Sequence, residues 1–190
     1  IKEWYEHFGG NVYVSFSGGK DSSALLDLAR DLYRDVPAVY VDTGLEFPEV
    51  KDHVKTKRDV VQIRPNLSFK QVIDEYGFVF PSKDVALTIH YARQGSEWAV
   101  QRLQGNNNDG TPSQFKQRYK KWRYLLDAPF KISHMCCNIM KENPLRTFER
   151  ESGLLPIIGT LTNESKRRQQ AWLKTGCNAF NTKVPNSTPM

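Results

Sequence analysis

The sequence predicts an α/β protein built on a three-layer, mostly parallel twisted sheet with helices on both faces. A short apolar run at 12–16 passes through a glycine turn into a stretch, 25–32, whose apolar residues recur at helical spacing. A second apolar run, 38–41, begins about 26 residues after the first, which matches a parallel strand–helix–strand crossover. Further short apolar runs at 60–64 and 155–159 supply additional strands.

Glycine, proline and charge mark the boundaries of the elements. Gly9 and Gly10 end a lead-in helix. Pro48 and Glu49 open the helix after the second strand, because proline suits a first turn and an acid suits the positive helix end. The predicted elements are, in order, a helix in 1–10, a strand 11–16, a helix ending near 34, a strand 38–41, a helix from 48, a strand 60–64, helices 68–76, 83–104 and 113–126, a helix ending near 151 and a strand 155–159.

The length and composition are those of one globular domain. With 190 residues, of which 39% are hydrophobic, the chain can bury roughly 70% of its unfolded surface. We expect a single domain over 1–190, with a helical insertion at about 82–131 packed beside the sheet and an irregular end at 174–190. No apolar run approaches the ~20 residues of a membrane span, so no membrane partner is expected. Because the chain begins at Ile1 rather than Met, we expect a trimmed piece of a longer protein.

The net charge of +6 is concentrated in the second half of the chain. Residues 1–100 carry 12 Lys and Arg against 15 Asp and Glu, and residues 101–190 carry 15 against 6. This distribution fits an anionic partner such as a nucleotide or a nucleic acid. The basic helix predicted at 113–126 interleaves cations with aromatic residues, and it either contacts nucleic-acid phosphates or, more simply, is a solvated face with its aromatic side packed inward.

A glycine-rich loop joins the first strand to its helix, and its residues are Ser17, Gly18, Gly19, Lys20, Asp21, Ser22 and Ser23. Glycine permits close approach of a ligand to the backbone, and the free N–H groups and dipole of the following helix attract phosphate. Lys20 adds a positive charge, and the serines add hydroxyl donors. Asp21 is either a carboxylate for Mg²⁺ or a charge that compensates the helix terminus. Val14 stands where a Walker-type loop needs glycine, so that loop is disfavoured.

Two other segments are expected at the same edge of the sheet. Asp42, Thr43 and Gly44 follow the second strand, and Gly159 and Thr160 follow the last predicted strand. In open parallel sheets, ligands bind beyond the carboxyl ends of the strands. These five residues are therefore expected at the same edge of the sheet as the glycine loop.

Three cysteines, Cys136, Cys137 and Cys177, are too few for a secreted disulfide framework and favour a reducing cytoplasm. Thiolates are the natural ligands of a 4Fe–4S cluster, for which this chain has no fourth cysteine. His134 with Cys136 and Cys137 could instead hold zinc. A third alternative is that the cysteines are small buried residues at a helix start.

Four segments, in this order, resemble the phosphoadenosine phosphosulfate (PAPS) reductase family: the loop at 17–22, the acidic turn at 42–49, the Cys-Cys with the following Lys and Pro-Leu at 136–145, and Gly-Thr…Glu-Ser-x-x-Arg at 159–168. The loop also resembles the pyrophosphate loop of the N-type ATP pyrophosphatases, which share the adenine nucleotide alpha hydrolase-like fold. The resemblance implies an adenine nucleotide across the carboxyl edge of the sheet. It would contact the glycine loop, the Asp42-Thr43-Gly44 segment, and Gly159 with Thr160, and Arg168 would lie at its anionic end. The adjacent cysteines resemble the cluster-binding pair of adenylyl-sulfate reductases.

The resemblance implies that ATP and Mg²⁺ are the cofactors and that Lys20, Asp21 and Arg168 act in cleavage between the α and β phosphates. The reaction would adenylylate a sulfur-containing or other acceptor. Adenylyl-sulfate and PAPS reductases often have a degraded loop and use a cysteine near the end of a later tail, neither of which matches this sequence. Three alternatives stay open: a reductase without its tail, an ATP pyrophosphatase of DNA phosphorothioation, and a nucleotide-sensing module without turnover. Nucleic acid, a partner protein and a homo-oligomer are further candidate partners.

Overall fold

The computed structural model describes residues 1–164 and 166–189. The chain divides into two compact units, the first formed by Ile1–Asn66 with Lys141–Met190 and the second by Leu67–Met140. The predicted helical insertion at 82–131 lies within the second unit, which extends beyond it at both ends. Among the described residues, no helix is long and apolar enough to cross a membrane.

The first unit contains a six-stranded sheet with the strand order β3-β2-β1-β4-β6-β5. Its strands are β1 (Val12–Ser15), β2 (Ala38–Val41), β3 (Val60–Ile63), β4 (Leu155–Ile158), β5 (Asn178–Ala179) and β6 (Asn186–Ser187). Neighbouring strands pair in parallel from β3 through β2, β1 and β4 to β6, and β5 pairs antiparallel with β6. The α/β fold class and the mostly parallel sheet are therefore confirmed.

The end of the chain differs from the prediction. Residues 174–190 were expected to be irregular, yet they form β5 and β6, and Ser187 pairs with Ile157 of β4. Each of these strands has only two residues, which is too short to show the alternation that identifies a strand in a sequence. Their conformation is decided by the neighbouring edge of the sheet.

The first unit also contains the helices α1 (Lys2–His7), α2 (Lys20–Leu32), α3 (Pro48–Thr56), α8 (Asn143–Ser152) and α9 (Lys166–Thr175), together with a short 3₁₀ turn, Thr162–Glu164. A π-helical turn, Asn138–Glu142, precedes α8. Of these elements, α1, α2, α3 and α8 follow the predicted order, whereas the 3₁₀ turn and α9 were not predicted.

Both faces of β1 are covered, because successive residues of a strand point to opposite sides of the sheet. Val12 and Val14 are buried in one core cluster with Leu25 of α2. On the other face, the hydroxyl of the fully buried Tyr13 donates to Glu149 Oε1 of α8 at 2.8 Å. Helices thus lie on both faces of the central strand, as the fold class predicts.

The second unit is helical and contains α4 (Phe69–Tyr76), α5 (Lys83–Arg93), α6 (Glu97–Gln104), α7 (Lys116–Lys120) and a 3₁₀ helix, Arg123–Asp127. Its buried core includes Val85, Ile89, Leu103 and Leu125. The guanidinium of Arg93 donates to four backbone carbonyls between 125 and 130, at 2.6–3.1 Å. These bonds connect α5 to the 3₁₀ helix and to the segment that follows it.

Two predicted helices of the second unit are each divided in the structure. The helix predicted at 83–104 breaks at Gly95, whose φ of +79° lies in the left-handed region that ends helices. The helix predicted at 113–126 breaks after Lys120. Tyr119 and Leu125 are both buried, although six residues along one α-helix would place their side chains about 120° apart around the helix axis. A turn of 3₁₀ helix, with three residues per turn, allows both side chains to reach the core.

Candidate active site

The loop between β1 and α2 is packed closely against α3. Gly18 has a φ of +75°, a backbone conformation that L-residues other than glycine rarely adopt. A Cβ at this position would lie 2.7 Å from Val50 Cγ1 and 3.0 Å from Val54 Cγ2. Both the backbone conformation and the packing therefore require glycine here.

Serine hydroxyl groups stabilise the conformation of the loop through hydrogen bonds to its backbone. Ser22 Oγ accepts a hydrogen bond from the Ser17 N–H at 3.2 Å and donates to the Gly19 carbonyl at 2.9 Å. Ser23 Oγ donates to the same carbonyl at 2.9 Å and lies 2.9 Å from His53 Nε2. Ser22 is buried and Ser17 is exposed. Ser22 and Ser23 thus stabilise the loop, and their predicted contact with a phosphate stays a prediction.

The first turn of α2 has no side-chain cap. Gly19 is its N-cap residue and supplies no capping hydrogen bond. The N–H groups of a first helical turn have no intrahelical acceptor, and the helix dipole adds positive potential. Lys20 is exposed and Asp21 half-buried, and neither side chain forms an ion pair or hydrogen bond within residues 1–164 and 166–189. This turn can accept an anion without displacing a protein group.

The end of β4 lies directly beside this turn. A Cβ on Gly159 would be 3.3 Å from the Asp21 carbonyl carbon and oxygen and 3.4 Å from Ser22 Cα. The Thr160 N–H donates to the Ile158 carbonyl at 3.0 Å, which turns the chain at the end of the strand. The structure therefore brings the predicted residues 159 and 160 next to the glycine loop.

The third predicted segment follows β2 and centres on Asp42, which is 7% exposed. Its carboxylate accepts hydrogen bonds from Gln62 Nε2 at 2.9 Å, Arg64 Nη2 at 3.1 Å and the Gly44 N–H at 3.1 Å, and it lies 3.1 Å from Lys51 Nζ. Asp42 thus joins β2 to β3 and α3. A nucleoside contact through this carboxylate would have to replace one of these partners.

Thr43 closes the turn after β2. Its hydroxyl donates to Glu46 Oε1 at 2.6 Å, and its N–H donates to Glu46 Oε2 at 3.1 Å. Gly44 follows with a φ of +82°. Hydrogen bonds between Thr43 and Glu46 therefore stabilise this turn. The nucleotide contacts predicted for Thr43 and Gly44 stay predictions.

Two ionisable groups at this edge have shifted pKa values. Burial raises the pKa of Asp42, but hydrogen bonds from Lys51 and the Gly44 N–H outweigh it, so the pKa lies below its ordinary value. Burial, with smaller contributions from Glu46 and Asp42, raises the pKa of Tyr40 to about 12. The buried Tyr40 hydroxyl has no hydrogen-bond partner in the described part of the chain.

Arg168, predicted at the anionic end of the nucleotide, forms an ion pair with Glu164. Glu164 Oε2 also accepts a hydrogen bond from the Leu161 N–H at 3.2 Å. Ser165 of the same motif lies outside the described residues. The contact of Arg168 with a nucleotide stays a prediction.

The predicted metal-binding residues do not form a recognisable site. Cys177 belongs to the first unit, and Cys136 and Cys137 belong to the second. Within the described residues, no group of three or more His, Cys, Asp or Glu side chains could hold a metal ion. Burial, with His90 and then Lys83, lowers the pKa of His134, whose Nδ1 is buried without a partner among these residues. The iron–sulfur and zinc hypotheses therefore stay predictions.

Sequence reasoning missed several residues at this edge. His53 contacts Ser23 across 30 residues of chain, and no local pattern indicates this pair. Gln62 and Arg64 reach Asp42 from the end of β3, where residues two apart share a face. That alternation was the available indication that Gln62 and Arg64 would act together.

Several known proteins are similar to this chain over part of its length. The chain is 37% identical over 90 residues to an uncharacterized protein of Methanocaldococcus jannaschii, a match that covers 44% of this chain and 18% of that protein. It is 36% identical over 74 residues to an adenosine 5'-phosphosulfate reductase of Pseudomonas aeruginosa, covering 35% of this chain and 27% of the relative. An adenosine 5'-phosphosulfate reductase of Bacillus pumilus is 29% identical over 84 residues, covering 40% and 36%. The chain thus matches well under half the length of each of these relatives.

Residues 11–83 match the family model described as the phosphoadenosine phosphosulfate reductase domain. The matched segment contains β1, the glycine loop, α2, β2 with its acidic turn, α3 and β3. These are the elements that form most of the candidate site. This segment, which is about two fifths of the chain, is therefore similar to the phosphoadenosine phosphosulfate reductase domain.

Proposed function

We propose that the first unit binds ATP and cleaves it between the α and β phosphates, transferring the adenylyl group to an acceptor in sulfur metabolism or sulfur transfer. The observation that carries this proposal is the intact loop from Ser17 to Ser22. Gly18 is held against α3, the first turn of α2 has no side-chain cap, and Lys20 is exposed beside it. A loop of this kind suits a leaving pyrophosphate.

The proposed chemistry asks for no covalent nucleophile from the protein. A nucleophilic atom of the acceptor attacks the α-phosphorus, the bond from that phosphorus to the α–β bridging oxygen breaks, and pyrophosphate leaves with the electron pair. The protein aligns the two reactants and stabilises the negative charge that grows on the leaving group. The first-turn N–H groups of α2 and the ammonium of Lys20 suit this role.

Mg²⁺ usually binds through one or two carboxylates together with substrate phosphates, and it neutralises phosphate charge when bound. The half-buried Asp21 in the first turn of α2 fits such a ligand and would hold the ion together with the nucleotide. Arg168 would have to leave Glu164 to reach an anion. A partly exposed ion pair of this type contributes only about 0–1 kcal/mol, so the exchange costs little.

The test is a nucleotide panel of ATP, adenylyl sulfate and PAPS, measured by calorimetry for binding and by pyrophosphate release. We expect ATP to bind, and we expect Lys20→Ala and Asp21→Ala to remove pyrophosphate release while the thermal unfolding temperature stays unchanged. Lys55→Ala is the matched control, because Lys55 is an exposed lysine of the same unit paired with Asp52. Equal release by all four proteins would contradict the proposal.

A second candidate function is reduction of an adenylyl sulfate, and the relatives named adenosine 5'-phosphosulfate reductases favour it. This reaction releases sulfite and needs a thiol donor, whereas the first proposal releases pyrophosphate from ATP. Sulfite formed from adenylyl sulfate with a supplied thiol, with no pyrophosphate formed from ATP, would select the second candidate. The DNA phosphorothioation and nucleotide-sensing alternatives stay predictions.

A further inference from the structure

Aromatic side chains form a row on the surface of the second unit. This aromatic row consists of Phe130, Phe78, Phe80, Trp122 and Tyr124. The ring centroids of Phe78 and Phe130 are 6.0 Å apart, those of Phe80 and Trp122 are 6.2 Å apart, and those of Trp122 and Tyr124 are 6.1 Å apart. Phe78, Phe80 and Phe130 also line one cavity of about 440 Å³, which joins the two parts of the row.

Most of these rings are turned towards solvent. Phe78 is 49% exposed, Phe80 is 44% exposed and Tyr124 is 61% exposed. Val79 packs instead against the core of the unit, so residues 78–80 alternate between an outward and an inward side chain. Contiguous exposed apolar surface of this kind usually marks a binding site.

Positive charge accompanies the aromatic row. The second unit carries ten Lys and Arg against six Asp and Glu. Lys121 Nζ lies 5.2 Å from the centroid of the Trp122 ring. In the described part of the chain, Lys120, Lys121 and Arg123 form no ion pair, whereas Arg118 is paired with Asp84. The cations beside the row are therefore available to an anionic partner.

Exposed rings combined with unpaired cations select one chemical class of partner. Unpaired bases stack on aromatic side chains, and the phosphates between them bind lysine and arginine. A duplex offers the same phosphates but keeps its base faces stacked inside. We propose that the aromatic row binds single-stranded nucleic acid, independently of the activity proposed for the first unit.

The experiment measures binding of a fluorescein-labelled 15-nucleotide oligothymidylate and of a duplex of equal length by fluorescence anisotropy, without added nucleotide. We expect the single strand to bind at least about tenfold more tightly than the duplex. Phe78→Ala and Phe130→Ala should each weaken that binding by about tenfold, since stacking of one base is of this order. The matched control is Phe115→Ala, because Phe115 is 56% exposed in the same unit but lies outside the row. Its affinity should stay within twofold of the unsubstituted protein.

The salt dependence tests the cations separately. Replacing Lys120, Lys121 and Arg123 together by alanine should lower the slope of log affinity against log salt by about 2, at roughly 0.7 per phosphate contact on a single strand. Near-ultraviolet circular dichroism should show unchanged folding in each variant. Absence of binding at micromolar protein, equal affinity for the duplex, or equal losses for Phe78→Ala and Phe115→Ala would each overturn the proposal. So would a dimer that Phe78→Ala dissociates without any change in oligonucleotide binding, because the row would then join two copies of this chain.

Discussion

Replacing Gly18 by alanine should destabilise the first unit through two separable effects. The φ of +75° costs an L-residue roughly 1–2 kcal/mol. The new methyl group would also lie 2.7 Å from Val50 Cγ1 and 3.0 Å from Val54 Cγ2, and such overpacking costs about 1–3 kcal/mol. The expected loss of unfolding free energy is therefore about 2–5 kcal/mol, which lowers the unfolding temperature by roughly 5–15 °C in a chain of this length.

Two other glycines separate these contributions. Gly44 has a φ of +82°, but a Cβ there meets nothing within 4 Å, so Gly44→Ala should cost only the conformational part, about 1–2 kcal/mol. Gly19 has a φ of −80°, and its Cβ would lie 3.5 Å from Ser17 Oγ, which is an ordinary contact. Gly19→Ala should leave the unfolding temperature nearly unchanged, yet weaken ATP binding if phosphate approaches this backbone.

The assay is thermal unfolding by circular dichroism, with ATP binding by calorimetry on the same samples. The expected order of unfolding temperatures is Gly19→Ala above Gly44→Ala above Gly18→Ala. If Gly18→Ala unfolded at the wild-type temperature, the packing of the loop against α3 would be wrong. A Gly44→Ala variant as unstable as Gly18→Ala would show that the two valines contribute nothing.

Further variants test the buried polar groups. Tyr40→Phe should stabilise the first unit by about 1 kcal/mol, because the Tyr40 hydroxyl is buried without a partner in the described residues. Tyr13→Phe should instead destabilise this unit by about 1–2 kcal/mol, because Glu149 would lose its hydrogen-bond donor. Since the folded pKa of Tyr40 is raised to about 12, its contribution is complete below pH 10 and is lost as the pH rises towards 12, so Tyr40→Phe should flatten alkaline unfolding. The pKa of Asp42 is lowered in the folded state, so its contribution is complete above about pH 4 and is lost as the pH falls through the folded pKa; Asp42→Asn should reduce this acid dependence. Arg93→Lys should lower the stability of the second unit by about 1–3 kcal/mol, because lysine cannot reproduce the four bonds to carbonyls.

Urea unfolding at pH 3, 7 and 11 measures these changes. A Tyr40→Phe protein less stable than Tyr13→Phe would show that the Tyr40 hydroxyl has an essential partner. An acid limb that Asp42→Asn leaves unaltered would indicate that other carboxylates control unfolding at low pH. Unchanged stability of Arg93→Lys would mean that the bonds to the carbonyls add nothing beyond a positive charge.

The elements predicted correctly from the sequence are those whose local sequence pattern favours the same conformation that they have in the folded protein. The glycine loop with α2, the β2 strand and the Pro48 helix start were predicted because turn chemistry, periodicity and capping all act within a few residues. The parallel direction of the first two strands followed from the crossover spacing. The placement of Gly159 beside Asp21 followed from the rule that carboxyl ends of parallel strands share one edge.

By itself, the sequence determined the α/β class, the glycine loop and the edge at which the candidate site lies, since these depend on short-range propensities and on the geometry of parallel crossovers. Only the tertiary structure decided the two-residue strands β5 and β6, the break after Lys120, and the partners of Asp42 and Ser23. Each of these depends on groups far apart in the chain, such as His53 beside Ser23 or Ser187 beside Ile157. The aromatic row belongs to the same class, because its rings come from segments about 50 residues apart that meet only when the second unit folds.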